Sequence, residues 1–376
     1  MRVLHLASSS GYYGKEAVIL NLCSALEALG CSTEIGAFLN SQAPNDEVVV
    51  RAQRQNLSAT TINCRGRIDF RAVRAIRDRI VAQQIDLVHS HDYKADLYAF
   101  LAARWAGRPV FATCHLWYCT SLADRIYGSV DRAVLRYFDG IISVSPPIAD
   151  VVRAAWIPQR KISVISNGID LSPFLMVEDA VSGREFGDEP TIGIVGRLAH
   201  QKGHAILFAA IPAILEKFPR SKFVIVGEGP DRKQLDALAG KLGITGSVHF
   251  AGYRADMPAV YSALDLMVMP SLDEGLPMTL LEGMAARRAP IASAVGAVPE
   301  VIQHGQNGLL IKPGSVTELQ DAILSLLQDK ARRQQIAENA RQSSTSFSAE
   351  RMARNYLDFY KHMERRPAAA RFRAVN

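Results

Sequence analysis

Short, apolar, β-branched runs ending in small or polar residues alternate with amphipathic helical stretches, and this alternation restricts the fold more than any other feature of the 376 residues. RVLHLA, STEIGAF, DLVHSH, PVFATCH and GIISVS form a first series, with helices expected over 17–29 and 70–83. Strands separated by helices pair in parallel, because each helical crossover brings the chain back to run in the same direction. The breakers of VISNGIDLSPF and a polar stretch to Pro190 interrupt the series, which starts afresh with TIGIVGRL, KFVIVGEG, VHFAGY, LDLMVMPS, APIASAV and NGLLIKP. The expected class is therefore α/β, with two parallel-sheet domains in tandem over 1–168 and 169–350, then a basic helix from about Ser348 to Glu364 and a frayed Pro-Ala-Arg tail. Open α/β sheets bind ligands beyond the carboxyl ends of their strands, so a cleft between the domains is the expected site.

Other classes lose ground on composition. With 48% apolar and 21% charged residues, the chain can bury large cores, and disorder is expected only at its ends. No apolar run approaches the roughly 20 residues that span a bilayer, and MRVLHLASSSG reads as a first strand and not a signal peptide. The five cysteines, Cys23, Cys31, Cys64, Cys114 and Cys119, have no CxxC spacing, so neither a disulfide framework nor a zinc site is indicated and a reducing cytoplasm is expected. The net charge of +6 is unevenly placed: residues 51–161 carry 17 Lys/Arg against 9 Asp/Glu, and the tail from Arg351 carries seven against two. That bias is either a solvated basic face or a patch for an anionic membrane surface, a phosphorylated acceptor or nucleic acid. Nucleic acid is not expected, because no aromatic interleaving or recognised binding motif accompanies the charge.

The stretch DEGLPMTLLEGMA, residues 273–285, follows the strand LDLMVMPS and sets Glu274 and Glu282 on either side of a Gly-Leu-Pro helix start. Pro277 suits a first helical turn, where its missing N–H costs nothing. The helix from about Met278 then turns its unpaired N–H groups toward the strand ends, a partial positive charge suited to a phosphate or a polarised hydroxyl, and Gly275 lets a ligand approach the backbone. Alternatively, Glu274 merely complements the helix dipole and Glu282 is an exposed helix former. GIVGRLAHQKGH adds Arg197 and Lys202 just past another strand end, with Gly196 and Gly203 permitting a tight path, so two cations can hold a diphosphate there. VIVGEGPDR places Gly227 and Gly229 similarly, but its G-x-G-x-x-R is a weak dinucleotide signal, and neither a Walker A motif nor a GxSxG elbow occurs.

VGRLAHQKG, VGEGP, FAGY, DLMVMPSLDEGLPMTLLEGMA and VPEVIQHGQNGLLIKPG, in this order, resemble the second domain of the retaining GT-B glycosyltransferases grouped as glycosyltransferase family 4. The resemblance covers nearly the whole chain. It implies two Rossmann-like domains, the second holding a nucleotide-sugar donor, with a C-terminal helix (351–376 with the tail) returning to the first, acceptor-side domain. It assigns Arg197 and Lys202 to the donor diphosphate, with Gly196 beside them. Glu274 and the backbone of Gly275, Leu276, Pro277 and Met278 fall to the donor sugar, and Glu282 to the ribose. The backbone around Tyr253 and Arg254 borders the nucleobase, and Gly227 lines the same pocket. YYGKEAVILNLCSAL is similar to the family's Gly-Gly-x-Glu loop and helix, except that Tyr13 stands at the first glycine and only Gly14 remains. His115, in TCHLW, matches the family's catalytic-region histidine, and His91 and Asp92 at the neighbouring strand end would shape the acceptor pocket.

Departure of a nucleoside diphosphate puts negative charge on the leaving oxygens, which fixed cations and helix N–H groups stabilise more in the transition state than before it. With no Asp-x-Asp pair in the sequence, the expectation is transfer without a metal or other cofactor, to a hydroxyl of a saccharide or lipid-linked saccharide, in polysaccharide or glycoconjugate biosynthesis. A glycoside hydrolase with paired glutamates is disfavoured because Glu282 would lie away from the reacting carbon. A nucleotide-sugar epimerase, a phosphorylase of similar architecture and a non-catalytic nucleotide-sugar binding protein remain as alternatives. Peripheral contact with the inner membrane face is expected from the basic bias.

Overall fold

The computed structural model describes residues 1–8, 11–40, 45–65, 69–115, 128, 131–175 and 189–365. Cys119, Trp117 and the tail beyond Arg365 lie outside them. Two compact units are present: Met1–Gly168 together with the chain from Ala349 onward, and Ile169–Ser348.

In the first unit, seven strands form one parallel sheet: β1 Arg2–Ser8, β2 Ser32–Asn40, β3 Ser58–Cys64, β4 Leu87–Ser90, β5 Val110–Cys114, β6 Gly140–Ser143 and β7 Ile162–Val164, in the order β3-β2-β1-β4-β5-β6-β7. Helices α1 Gly14–Ala28, α2 Glu47–Arg54, α3 Phe70–Ala82, α4 Tyr93–Trp105 and α5 Pro146–Ala154 connect them. β4, β5 and β6 are buried along their whole length, as central strands covered on both faces must be, which is why their sequences read as unbroken apolar runs. The sheet is wound outward in both directions from β1 and β4, so the chain order reverses between these neighbours. That switch point opens a crevice beyond their carboxyl ends.

The second unit repeats the plan with six parallel strands: β8 Thr191–Val195, β9 Lys222–Val226, β10 Val248–Gly252, β11 Leu266–Met269, β12 Ala289–Ser293 and β13 Leu309–Ile311, in the order β10-β9-β8-β11-β12-β13. Its helices include α6 His204–Lys217, α7 Arg232–Lys241, α8 Met278–Ala285, α9 Val316–Gln328 and α10 Lys330–Ser344. The switch point lies between β8 and β11, and an apolar core centred on Ile192, Phe208, Phe223, Val268 and Ile291 fixes both strands. These are Rossmann-like, doubly wound sheets.

The last described helix, α11 Ala349–Glu364, packs on the first unit, against α1. Its apolar stripe, Met352, Tyr356, Tyr360 and Met363, follows helical spacing and is buried. Two buried tyrosines find partners on the sheet: Tyr356 Oη lies 2.9 Å from Thr113 Oγ1, and Tyr360 Oη 2.7 Å from His89 Nδ1. Large aromatic area with a satisfied hydroxyl is what anchors this helix to the sheet.

Candidate active site

In the second unit, loops from five strand ends, those of β8 to β12, are woven together by their backbones. After β8, Gly196 N–H donates to Val226 O (2.9 Å) and Leu198 N–H to Glu228 O (2.9 Å), tying the Arg197 loop to the end of β9. Gly227, at φ +132°, passes so close that a Cβ there would sit 2.0 Å from Gly196 O. Its own N–H donates to Gly252 O (2.7 Å), which brings the Tyr253–Arg254 turn beside it. Leu272 N–H donates to Gln201 O (2.7 Å), and Gly203, at φ +71°, would place a Cβ 1.9 Å from Pro270 O. Gly296 was not singled out by sequence reasoning. A Cβ on it would lie 1.9 Å from Glu274 O, while Ala297 N–H donates to Gly275 O. A lone glycine among small apolar residues just past a strand, as in SAVGAV, was the available signal, and it adopts left-handed backbone at φ +53°.

On this lattice sit the side chains. Lys202 Nζ forms an ion pair with Glu274 Oε1 at 2.6 Å, and Ser271 Oγ donates to the same oxygen at 2.8 Å; Glu274 is only 8% exposed. The acid is thus held by two partners beyond β11 and is not a loose surface charge near a dipole. Arg197 is exposed on the same loop as Lys202. Pro277 is the extended residue that caps α8, one position earlier than a first-turn proline, and the helix N–H groups start at Met278. Tyr253 is 49% exposed and Arg254 pairs with Asp256 (2.6 Å), a hydrogen-bonded pairing that pulls the Asp256 carboxyl down to about 2.

Glu282 is not an exposed helix former. It is half-buried against Tyr261, whose Oη lies 3.0 Å from Glu282 Oε2 and 3.0 Å from Thr279 O. Burial pushes the Glu282 carboxyl up to about 7, only partly opposed by the Tyr261 bond. The one phenolic proton is shared between two acceptors, Glu282 Oε2 and Thr279 O. Tyr261, an interior helix residue with no motif around it, offered no sequence signal.

In the first unit, a cavity of about 240 Å³ opens beyond β4 and β5, lined by Lys15, His91, Asp92, Thr113 and His115 among others. Tyr13 caps α1, and its backbone N–H donates to Glu16 Oε2 (3.0 Å), so the helix starts at Gly14 and Lys15 follows. Lys15 Nζ donates to Ser8 O (2.7 Å) and Asp92 Oδ2 (3.0 Å). Burial works against its charge, but Asp92 and Glu16 outweigh that and raise its pKa. Asp92 also caps α4 by accepting from Ala95 N–H, and accepts from Ser8 N–H at 2.6 Å. Both of its oxygens are therefore engaged within the protein, which makes it a frame for Lys15 more than a ligand for an acceptor. Lys15 belongs to the Tyr-Tyr-Gly-Lys-Glu loop, yet its spacing alone does not mark it as a cavity residue.

His115, just past β5, points its Nε2 at His91 Nδ1 (3.3 Å). Burial, with Lys15 adding to it, lowers His115 to about 3, and burial keeps His91 well below the usual imidazole range. Both are neutral hydrogen-bonding groups at physiological pH. Among the described residues no group of His, Cys, Asp and Glu has metal-binding geometry, and no helix is long and apolar enough to cross a membrane.

Two doubly wound parallel sheets in tandem are consistent with the GT-B architecture. Residues 12–173 match the family Glycosyltransferase Family 4, and residues 178–343 match Glycosyl transferases group 1. The 2-deoxystreptamine glucosyltransferase of Streptomyces kanamyceticus is 31% identical over 271 residues, covering 65% of this chain and 69% of that one. An N-acetylgalactosaminyltransferase of Campylobacter jejuni, which acts on N,N'-diacetylbacillosaminyl-diphospho-undecaprenol, is 26% identical over 73% of this chain and 77% of its own. Among solved structures, HepE of Anabaena in complex with UDP-glucose superposes with a TM-score of 0.85 at 21% identity, covering 96% of this chain and all of that one (100%). The chain belongs to the group 1/family 4 glycosyltransferases, and it is a nucleotide-sugar-dependent, sugar-transferring enzyme.

Proposed function

We propose that this enzyme transfers its sugar with retention of anomeric configuration and without a metal, building a polysaccharide or glycoconjugate on a saccharide or lipid-linked saccharide. The observation that supports this best is the 2.7 Å Leu272–Gln201 backbone bond, which fixes the Arg197–Lys202 loop against the loop that starts α8. Two cations and a helix N-terminus would then serve one region suited to a leaving diphosphate. Lys202 and Arg197 would neutralise its oxygens. Glu274, with the Gly275–Met278 backbone, would hold the donor sugar, and Glu282 would accept from the ribose hydroxyls. The Gly227 and Tyr253–Arg254 turns would border the base.

From the first unit, Gly14 at the start of α1 and His115 would supply hydrogen bonds to the donor or the reacting sugar, and Tyr13 would face the acceptor side, with the His91 ring, bonded through both nitrogens to His5 and His115, as wall and not as ligand. For retention, the acceptor hydroxyl attacks from the face the diphosphate leaves, and a diphosphate oxygen takes its proton. The similar Anabaena protein was solved with UDP-glucose, so UDP-hexoses are the donors to try first. Thermal shift against a nucleotide-sugar panel selects the donor, since a ligand that binds only the folded state raises its melting point. NMR of the product's anomeric proton then decides the stereochemistry, and an inverted product would overturn the proposal.

The basic first unit would also meet anionic membranes. Phe70 and Trp105 are exposed, and Arg77 lies 5.4 Å over the Trp105 ring, the pairing of aromatic and cation suited to a lipid headgroup layer. Pelleting with anionic but not neutral liposomes at low salt tests this contact.

A further inference from the structure

Behind the cavity of the first unit the histidines continue inward. Parallel pairing of β1 with β4 sets His5 beside His89, and His91 follows two residues later on the same side of its strand. His5 Nδ1 lies 3.0 Å from His91 Nε2, and His91 Nδ1 lies 3.3 Å from His115 Nε2. Three imidazoles thus form one chain from the interior to the cavity wall. His5 is fully buried, and its Nε2 has no partner. His115 is partly exposed and lines the cavity, which leaves its Nδ1 for a ligand.

Burial disfavours an imidazolium at each position. A neutral imidazole has one N–H and one bare nitrogen, so each link in the chain dictates the next. Only two arrangements satisfy both links. In one, every ring carries its proton on Nδ1: His5 donates to His91, His91 donates to His115, and His115 offers an N–H to the cavity. In the other, every proton sits on Nε2, His115 offers a bare nitrogen, and His5 must bury an N–H with no acceptor. Buried N–H groups without an acceptor are the rarer kind of orphan, so the first arrangement is favoured.

We propose that His5 is a positioning residue which, through His91, holds His115 as an N–H donor for an oxygen of the sugar being transferred. The proposal rests on the glycosyl-transfer reading for the identity of that oxygen, but the protonation pattern itself does not. His115 on this account is not a general base, since the nitrogen it presents already bears its proton.

The test uses the full chain labelled with 15N-histidine, with His115→Gln and His5→Asn spectra to assign the signals. The expected result for His115 is a protonated Nδ1 and a bare Nε2, unchanged from about pH 5 to 8. A protonated Nε2 on His115, or an imidazolium in that range, would overturn the proposal. Kinetics supply the second readout. His5→Phe fills the space but removes the donor, and is expected to lower kcat about tenfold while donor KM moves less than about twofold. His5→Asn, whose amide N–H replaces Nδ1–H, is expected to stay within about twofold of wild type. Equal kinetics for the two variants would sink the idea, and should His5→Phe fail to fold, the wild-type spectrum decides alone. Failure of the wild type to transfer sugar from any donor would refute the proposed function while leaving the spectrum as it is.

Discussion

Lys202 Nζ and Glu274 Oε1 lie 2.6 Å apart, so the cation proposed for the diphosphate and the acid proposed for the sugar are bound to each other before any donor arrives. Donor binding must then exchange this ion pair for two ligand contacts, with the ammonium moving to phosphate and the carboxylate, still held by Ser271, turning to hydroxyls. Lys202→Ala is expected to lower kcat/KM by about 10²- to 10³-fold, the scale of losing one preorganised charge on a leaving group. Without donor, the same change leaves Glu274 buried and short of a partner, and Glu274→Gln in that background should restore about 1 kcal/mol of stability. Denaturant titration of the two single variants and the double variant checks the coupling. Additivity would mean that the pair is incidental.

Glu282 makes a pH prediction whose sign is fixed by its upward shift. Its carboxyl titrates at about 7 when folded, against an ordinary value of 4.5, because it is buried. The folded state therefore binds this proton more tightly than the unfolded chain. The contribution is complete below about 4.5 and is lost as pH rises to about 7, at up to roughly 1 kcal/mol per pH unit. Glu282→Gln should remove that part of the slope. Ribose hydroxyls are donors that favour the ionised acid, so donor binding should release a proton near pH 6.5 to 7. Calorimetry of nucleotide binding in two buffers of different ionisation enthalpy reads that proton directly, and equal apparent enthalpies would refute it.

The architecture was legible because the central strands of both sheets are buried on both faces, and buried parallel strands print themselves as apolar runs. β3 and β7 escaped for the opposite reason. Ser58–Cys64 is an outer strand with exposed Ser58, Thr61 and Asn63, and its sequence SATTINC reads as polar, while Ile162–Val164 is three residues long. The second unit's loops could be read because glycine, proline and charge stand at fixed offsets from strand ends. Tyr261 and His5 could not, since each acts on a site residue distant in the chain, and tertiary packing or strand register, not spacing, brings them together, whereas Ser271 lies only three residues before Glu274 and is a local turn contact with no motif to mark it. Lys15 shows the intermediate case: it lies within the Tyr-Tyr-Gly-Lys-Glu loop, but only the approach of Asp92 makes it part of the cavity.

Gly203 and Gly243 separate two costs that a sequence cannot tell apart. Both adopt left-handed backbone, at φ +71° and +69°, but a Cβ on Gly203 would sit 1.9 Å from Pro270 O whereas one on Gly243 would meet nothing within 4 Å. Gly243→Ala should cost about 1 kcal/mol, the penalty for a side chain in that conformation. Gly203→Ala adds a backbone clash and should cost roughly 2 to 4 kcal/mol, with loss of donor binding because the Lys202 loop must lift from Pro270. Thermal denaturation of the two variants gives the comparison, and equal shifts would show that the loop is free to move aside.

Charge at the leaving group can come from the protein or from a metal. If Arg197, Lys202 and the α8 terminus neutralise the diphosphate, a divalent ion has nothing left to supply, and kcat/KM should change less than about twofold on adding EDTA or millimolar magnesium. Lys202→Ala supplies the sharper half of the test. A metal co-ordinated by the diphosphate in solution could partly replace the missing ammonium, so magnesium should stimulate this variant several-fold while leaving the wild type unchanged. Wild-type activity that falls with chelator and returns with magnesium or manganese would place the missing charge on a metal and remove Lys202 from that role.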